Sequence, residues 1–193
     1  VDEQMARVLD DGRIDDAIRD VLVLGLHHEQ QHQELLLTDI KHVLSRNPLR
    51  PAARSDLETT SGAVASAYEF TSGDSGIVRI GHEGDGFCFD NERPGHDALL
   101  HPHAIGDRLV TNAEYREFIR AGAYDEPAHW LSDGWTTIRQ RNWNRPRYWD
   151  EALETEFTLG GQREIDDNAP VTHVSYYEAD AFARWAGYRL PTE

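Results

Sequence analysis

The chain has 193 residues, 39% of them hydrophobic, which is enough to bury a core in one large domain or two small ones. Its 35 acidic and 19 basic residues give a formal charge of −16, and a field of this sign disfavours binding to nucleic acid or to an anionic membrane surface. The one cysteine, Cys88, excludes an internal disulfide, and no apolar run approaches the roughly 18 residues of a membrane span, so a cytoplasmic location is predicted.

Residues 1–47 are predicted to be helical. A short helix covers roughly Asp2 to Leu9 and breaks at Asp10-Asp11-Gly12, and a longer helix then runs from about Ile14 to Ser45. Asn47-Pro48 ends the long helix, because proline disfavours the helical conformation in the residue before it and has no N–H to donate.

The long helix carries a pair of histidines with the spacing of metal ligands. His28 and His32 share one face, because positions four apart on an α-helix differ by only about 40°. Two imidazoles placed in this way suit one metal ion, although a hydrogen-bonded structural pair explains the spacing equally well. Gln31 lies on the flank of this face. His27 and Glu34 lie about 100° and 120° away from His28, so neither is predicted to bind the same ion.

The same residues also satisfy the zinc-peptidase pattern H-E-x-x-H, as His28-Glu29-Gln30-Gln31-His32. The extended form of that pattern requires a glycine and a third histidine at the positions that Leu35 and Thr38 occupy here. The sequence therefore disfavours a peptidase and leaves another kind of metal site as the better interpretation.

Residues 48–67 are rich in Pro, Ser, Thr, Gly and Ala, and we expect them to be a linker at a domain boundary. From Tyr68 onward, the strand-like segments GIVRIG, GFCFDN and ALLHPHAI alternate with turns. Two short helices are predicted, one after a cap at Thr111 or Asn112 and one after Ser175, the second ending at Gly187. The fold class is therefore α+β. The tryptophans are expected to fill the core of a domain that is poor in regular structure.

Two groups of motifs resemble one enzyme family. The segment HHEQQHQELLLTDIKHVLSRNPLRP resembles the helix of the ergothioneine-pathway sulfoxide synthases, whose DinB-like domain carries the signature H-x-x-x-H-x-E. GHEGDGFCFDNERPGH, DRLVTNAEYREFI, WLSDGW and APVTHVSYYEADAFARWAGYRLPTE resemble the formylglycine-generating-enzyme-type domain that follows it. The resemblance implies part of a DinB-like four-helix bundle over residues 1–47, a linker over 48–67, and the N-terminal part of an irregular, C-type-lectin-like α+β domain over 68–193.

The resemblance also implies a non-haem iron(II) enzyme acting on small molecules. Such an enzyme uses O2 to join a thiol, either cysteine or γ-glutamylcysteine, to the imidazole C2 of Nα-trimethylhistidine (hercynine), and it oxidises the sulfur to a sulfoxide. His28 and His32 match two of the family's three iron-binding histidines, and Gln31 matches the residue that contacts trimethylhistidine. The third histidine is expected upstream of residue 1 and the catalytic tyrosine beyond residue 193, so the chain is expected to be the middle of a longer enzyme.

Two other functions stay open from the sequence. DinB-like bundles bind other divalent metals, so a zinc hydrolase or a thiol transferase is one alternative, and iron with O2 consumption distinguishes the proposed enzyme from it. A noncatalytic remnant or binding module is the other alternative, and the number of metal ligands in the whole polypeptide distinguishes that one.

Overall fold

The structure is a computed structural model that describes residues 2–10, 14–57 and 66–192. The predicted helix break at Asp11 and Gly12 and residues 58–65 of the predicted linker lie outside the described residues. In chain order the helices and strands are α1 (Asp2–Asp10), α2 (Asp16–Arg46), β1 (Phe70–Ser72), β2 (Gly76–Ile80), β3 (His96–Leu100), β4 (Ala104–Gly106), α3 (Asn112–Arg120), α4 (Ser132–Arg141), β5 (Thr155–Thr158), β6 (Gly161–Glu164) and α5 (Tyr176–Trp185).

The chain divides into two compact units. The first consists of Val1–Val43 together with Arg79–His96, and the second of Leu44–Val78 together with Asp97–Glu193. The mixture of helices and short strands confirms the predicted α+β class. The predicted domain limits at residues 47 and 68 stay a prediction, and the compact units differ from them because a loop of the second predicted domain is grouped with the N-terminal helices.

The two predicted N-terminal helices are present. The side chain of Asp15 accepts a hydrogen bond from the backbone N–H of Ile18 at 2.8 Å, which satisfies one of the unpaired donors at the start of α2. α2 ends at Arg46, directly before Asn47-Pro48, as predicted. None of its described residues is buried, and the leucines that a bundle would cover are exposed. The described residues therefore do not show the predicted part of a DinB-like bundle, which stays a prediction.

The segment GFCFDN is not a strand, which corrects the prediction. It belongs to an irregular loop that ends in a short 3-10 turn over Asp90–Glu92. The Glu92 carboxylate accepts a hydrogen bond from the backbone N–H of Phe89 at 2.7 Å, and the Glu92 carbonyl accepts one from His82 at 2.8 Å. These local hydrogen bonds replace the strand ladder that the alternating aromatic residues led us to expect.

The strands form three two-stranded sheets, in which β1 pairs with β4, β2 with β3, and β5 with β6. β1 and β4 are antiparallel, with Phe70 opposite Gly106. β5 and β6 form a tight hairpin that was not predicted, with Gly161 at a φ of +98° beside the turn. The backbone N–H groups of Ala53 and Arg54 both donate to the Leu159 carbonyl of this hairpin, so residues 53–54 of the predicted linker are held against the hairpin within the second unit.

The core of the second unit lies between α3, α4 and α5. Thr111 and Ser175 cap α3 and α5 as predicted, each in a capping box with a glutamate three residues later. Phe118 is fully buried at the centre, and Tyr115, Ile138 and Ala181 surround it.

The tryptophans largely fill the interior, as expected. Trp130 and Trp149 are buried, and Trp135 and Trp185 pack against the core. Trp143 is 38% exposed and is the exception.

Candidate functional site

The structure places His28 and His32 together on α2, as their spacing predicts. Their ring centroids lie 4.5 Å apart and the ring planes are nearly perpendicular, at 89°. A metal–nitrogen bond to histidine is about 2.1 Å long, so a separation of this size between the two rings is compatible with their sharing one ion. Both side chains are exposed, and a structural pair held together within the protein interior is not what the geometry shows. Metal binding by His28 and His32 stays a prediction.

A complete metal site is not assembled from the described residues. Within residues 2–10, 14–57 and 66–192, no group of three or more His, Cys, Asp or Glu side chains is placed to hold an ion. The third histidine that is expected upstream of residue 1 stays a prediction. Gln31 is exposed on the same turn of α2, and its contact with a substrate stays a prediction.

His27, next in sequence to His28, takes part in a three-ring cluster that the sequence did not reveal. Its imidazole stacks on the Phe87 ring at 4.0 Å between centroids and 11° between planes. Phe89 meets His27 edge-on at 6.0 Å and Phe87 edge-on at 5.1 Å. We call these three residues the His27 stack. His27 was predicted not to bind the same ion as His28 and His32, and that stays a prediction.

The loop that carries Phe87 and Phe89 also holds the chain's one cysteine. The Arg93 Nε donates a hydrogen bond to the Cys88 Sγ at 2.7 Å, and Cys88 is half-buried. The half-burial of Cys88 is compatible with a small residue that packs within the loop.

The second unit contains a buried chain of polar groups. The hydroxyls of Tyr115 and Tyr124 lie 3.1 Å apart, and the Tyr124 hydroxyl donates to the Glu178 carboxylate at 2.7 Å. The other carboxylate oxygen accepts from the backbone N–H of Ser175 at 2.7 Å. Burial raises the pKa of both tyrosines well above their usual value, so they stay protonated at any physiological pH. The network ties three elements of the core together and gives no sign of acid–base chemistry.

A shallow cavity of about 250 Å³ lies between α4 and the start of α5. Ile138, Trp143 and Tyr177 give it a mainly apolar lining, and the guanidinium of Arg141 lies over the Trp143 ring at 5.5 Å. The cavity offers a surface for an apolar group, while His28 and His32 lie in the first unit. In the part of the chain that the structure describes, no helix combines the length and apolar character needed to cross a bilayer.

Comparison with known proteins matches residues 60–193 to the family described as "Sulfatase-modifying factor enzyme 1-like domain". The hercynine oxygenase of Mycolicibacterium smegmatis is 35% identical over 173 residues, which cover 88% of this chain and 39% of that protein. The hercynine oxygenase of Mycobacterium tuberculosis is 32% identical over 173 residues, covering 90% of this chain and 40% of that protein. The formylglycine-generating enzyme of Streptomyces coelicolor is 32% identical over 167 residues, covering 74% and 47%.

These matches reach different parts of the chain. The chain spans about two fifths of the length of the two hercynine oxygenases. A continuous match over 88% of 193 residues must include residues 28–32, so the similarity to the hercynine oxygenases extends into α2. The family match over residues 60–193 confirms the resemblance that the motifs from residue 68 onward indicated.

Proposed function

The chain belongs to the family of sulfatase-modifying factor enzyme 1-like domains, and we propose that it forms part of a hercynine-oxygenase-type enzyme. The proposed enzyme is an iron(II)- and O2-dependent sulfoxide synthase of ergothioneine biosynthesis. The observation that carries the proposal is the pair of His28 and His32 rings, 4.5 Å apart, on a helix within the stretch shared with the hercynine oxygenases.

The proposed reaction joins the imidazole C2 of trimethylhistidine to the sulfur of cysteine or γ-glutamylcysteine. The C2–H and S–H bonds break and a C–S bond forms. O2 accepts four electrons, so that one of its oxygen atoms ends in the sulfoxide and the other leaves in water with the two released hydrogens. Bound iron(II) would supply open positions for substrates and the redox chemistry with O2.

The chain's own residues would have two tasks. His28 and His32 would each hold the metal through a neutral ring nitrogen, with the remaining ligands outside the described residues. Gln31, on the flank of the same turn, would orient trimethylhistidine, because a carboxamide can both donate and accept a hydrogen bond. The negative charge of the chain is compatible with a substrate that carries a quaternary ammonium group.

The test is anaerobic reconstitution of the whole protein with iron(II), followed by mass spectrometry of the products formed from trimethylhistidine with each thiol in the presence of O2. We expect a sulfoxide adduct with one of the thiols. Loss of a group that only supports a metal ligand typically lowers activity by roughly 10–100-fold. His28→Ala and His32→Ala remove proposed ligands themselves, so each should lower the rate of adduct formation by more than that. Gln33→Ala, at an exposed position on the same helix, is the matched control and should keep the rate of the unmodified protein.

Either alternative function predicts a different result. A zinc hydrolase or thiol transferase would be active with zinc and would consume no O2. A noncatalytic binding module would form no adduct with either thiol, even with its iron site loaded, and that outcome would contradict the proposal.

A further inference from the structure

His27, in the middle of α2, contacts the loop that carries Phe87 and Phe89. Of residues 24–40, all of which the structure describes, His27 alone is not exposed. It is half-buried, and it stacks on Phe87 and makes an edge contact with Phe89. The other residues of this stretch are exposed, and the His27 stack is the ring contact that links it to the loop carrying Phe87.

The loop on the other side of the stack is held together by its own hydrogen bonds. His82 N–H donates to the Glu92 carbonyl, Phe89 N–H donates to the Glu92 carboxylate, and Arg93 donates to Cys88. Gly81, with a φ of +91°, turns the chain into the loop, and a Cβ there would lie only 3.0 Å from the Pro94 carbonyl oxygen. These contacts hold the part of the loop that carries Phe87 and Phe89, whose rings contact the imidazole of His27.

We propose that His27 is a positioning residue, which fixes the orientation of His28 and His32 by anchoring α2 to the 81–95 loop. His28 follows His27 directly, and one helical turn separates it from His32, so rotation or fraying of α2 at this point would move both rings. The inference rests on the proposed metal-binding role of these two histidines. Groups that orient metal ligands in this way strongly affect metal affinity without touching the ion.

The experiment measures binding of Co(II), added anaerobically without substrate to the whole protein, by its visible absorption spectrum. His27→Ala should weaken Co(II) binding by about 10-fold or more and alter the spectrum. His27→Phe retains a ring that can stack on Phe87 and should restore the affinity to within about 2-fold of the unmodified protein. Phe87→Ala, which removes the stack from the other side, should reproduce the effect of His27→Ala, and the double variant should be no worse than either single one.

Hydrogen–deuterium exchange of residues 81–95 in the same variants reports the anchoring separately. Faster exchange of the loop in His27→Ala, together with unaltered Co(II) affinity and spectrum, would overturn the positioning role and leave the proposed function intact. If the unmodified protein binds no Co(II), both the positioning role and the proposed function are contradicted. If His27→Phe binds Co(II) as weakly as His27→Ala, ring stacking is not the cause, and the inference is wrong.

Discussion

At the scale of single residues, one hydroxyl group, that of Tyr124, lies at the centre of a buried hydrogen-bonded network in the second unit. The Tyr124 hydroxyl donates to Glu178 at 2.7 Å and also lies 3.1 Å from the Tyr115 hydroxyl, within a core where all three residues are buried. Buried polar groups are tolerated when every one of them has a partner. The Tyr124 hydroxyl therefore satisfies two neighbours that would otherwise be left without a hydrogen bond at this position.

Removing the Tyr124 hydroxyl should lower the free energy of unfolding more than removing the Tyr115 hydroxyl, which lies at the end of this hydrogen-bonded network. Tyr124→Phe leaves one carboxylate oxygen of Glu178 and the Tyr115 hydroxyl without this partner, and we expect the free energy of unfolding to fall by about 1–3 kcal/mol. Tyr115→Phe keeps the Tyr124–Glu178 hydrogen bond and should cost only about 0.5–1.5 kcal/mol. Urea unfolding followed by tryptophan fluorescence gives both values, and equal losses would contradict the assignment.

At the scale of secondary-structure elements, the start of α3 combines a cap with an ion pair. Thr111 and Glu114 form the capping box, and Arg108 donates two hydrogen bonds to the Glu114 carboxylate, at 2.7 and 2.9 Å. Hydrogen bonding from Arg108 lowers the pKa of the Glu114 carboxyl below its ordinary value of 4.5. The ionised carboxylate therefore stabilises the first turn of the helix.

The stabilisation from Glu114 should depend on pH in a defined direction. Because the pKa is lowered in the folded protein, the contribution is complete above the ordinary value near 4.5 and is lost as the pH falls through the folded-state pKa. Glu114→Gln keeps a capping side chain without the charge, and it should cost about 1–2 kcal/mol at pH 7. Urea unfolding of both proteins between pH 3 and 8 measures the difference, which should shrink below about pH 4.5; a difference that grows in acid would contradict the argument.

The elements predicted correctly are those with strong local signals. Thr111 and Ser175 at N-caps, and Asn47-Pro48 after α2, fix helix ends through contacts a few residues away. α4 was missed because its N-cap, Leu131, makes no side-chain hydrogen bond and because Gly134 lowers helix propensity. Packing favours this helix instead: a Cβ on Gly134 would lie only 2.7 Å from the Tyr177 side chain, so the glycine allows α5 to approach.

In the candidate site, the adjacency of His28 and His32 was predictable because it too depends on residues only a few positions apart. The 3.6-residue period of a helix places His28 and His32 on one face, and the structure shows their rings adjacent. The His27 stack was not predictable, because it joins α2 to a loop much later in the chain and no local pattern records such a contact. The alternating Phe87 and Phe89 instead led to the incorrect strand prediction for that loop.

At the scale of the whole molecule, the two compact units differ in how they are stabilised. The second has an aromatic core around Phe118. The described part of α2 in the first unit buries no residue, and helices of this kind owe most of their stability to packing of an apolar face. A ligand that binds the first unit should therefore increase the free energy of local opening more in that unit than in the second.

Metal binding in the whole protein should stabilise the two units unequally. Co(II) at about 100 times its dissociation constant should raise the free energy of local opening around His28 and His32 by about 2.7 kcal/mol, because only the folded helix presents both rings to one ion. The amides of α3 and α5 should keep their exchange rates. Hydrogen–deuterium exchange with and without Co(II) measures both regions, with Mg²⁺ as the control cation, and equal protection of both units would show that the prediction is wrong.

The contact between Arg93 and Cys88 has a practical consequence. Since this chain has one cysteine, a maleimide fluorophore would attach to it at Cys88, which lies between Phe87 and Phe89 in the sequence. Its emission would report on the surroundings of that loop without any engineered thiol. The fluorophore can react with the sulfur atom only when the Arg93 hydrogen bond to it is broken. The labelling rate would therefore report how often this hydrogen bond opens.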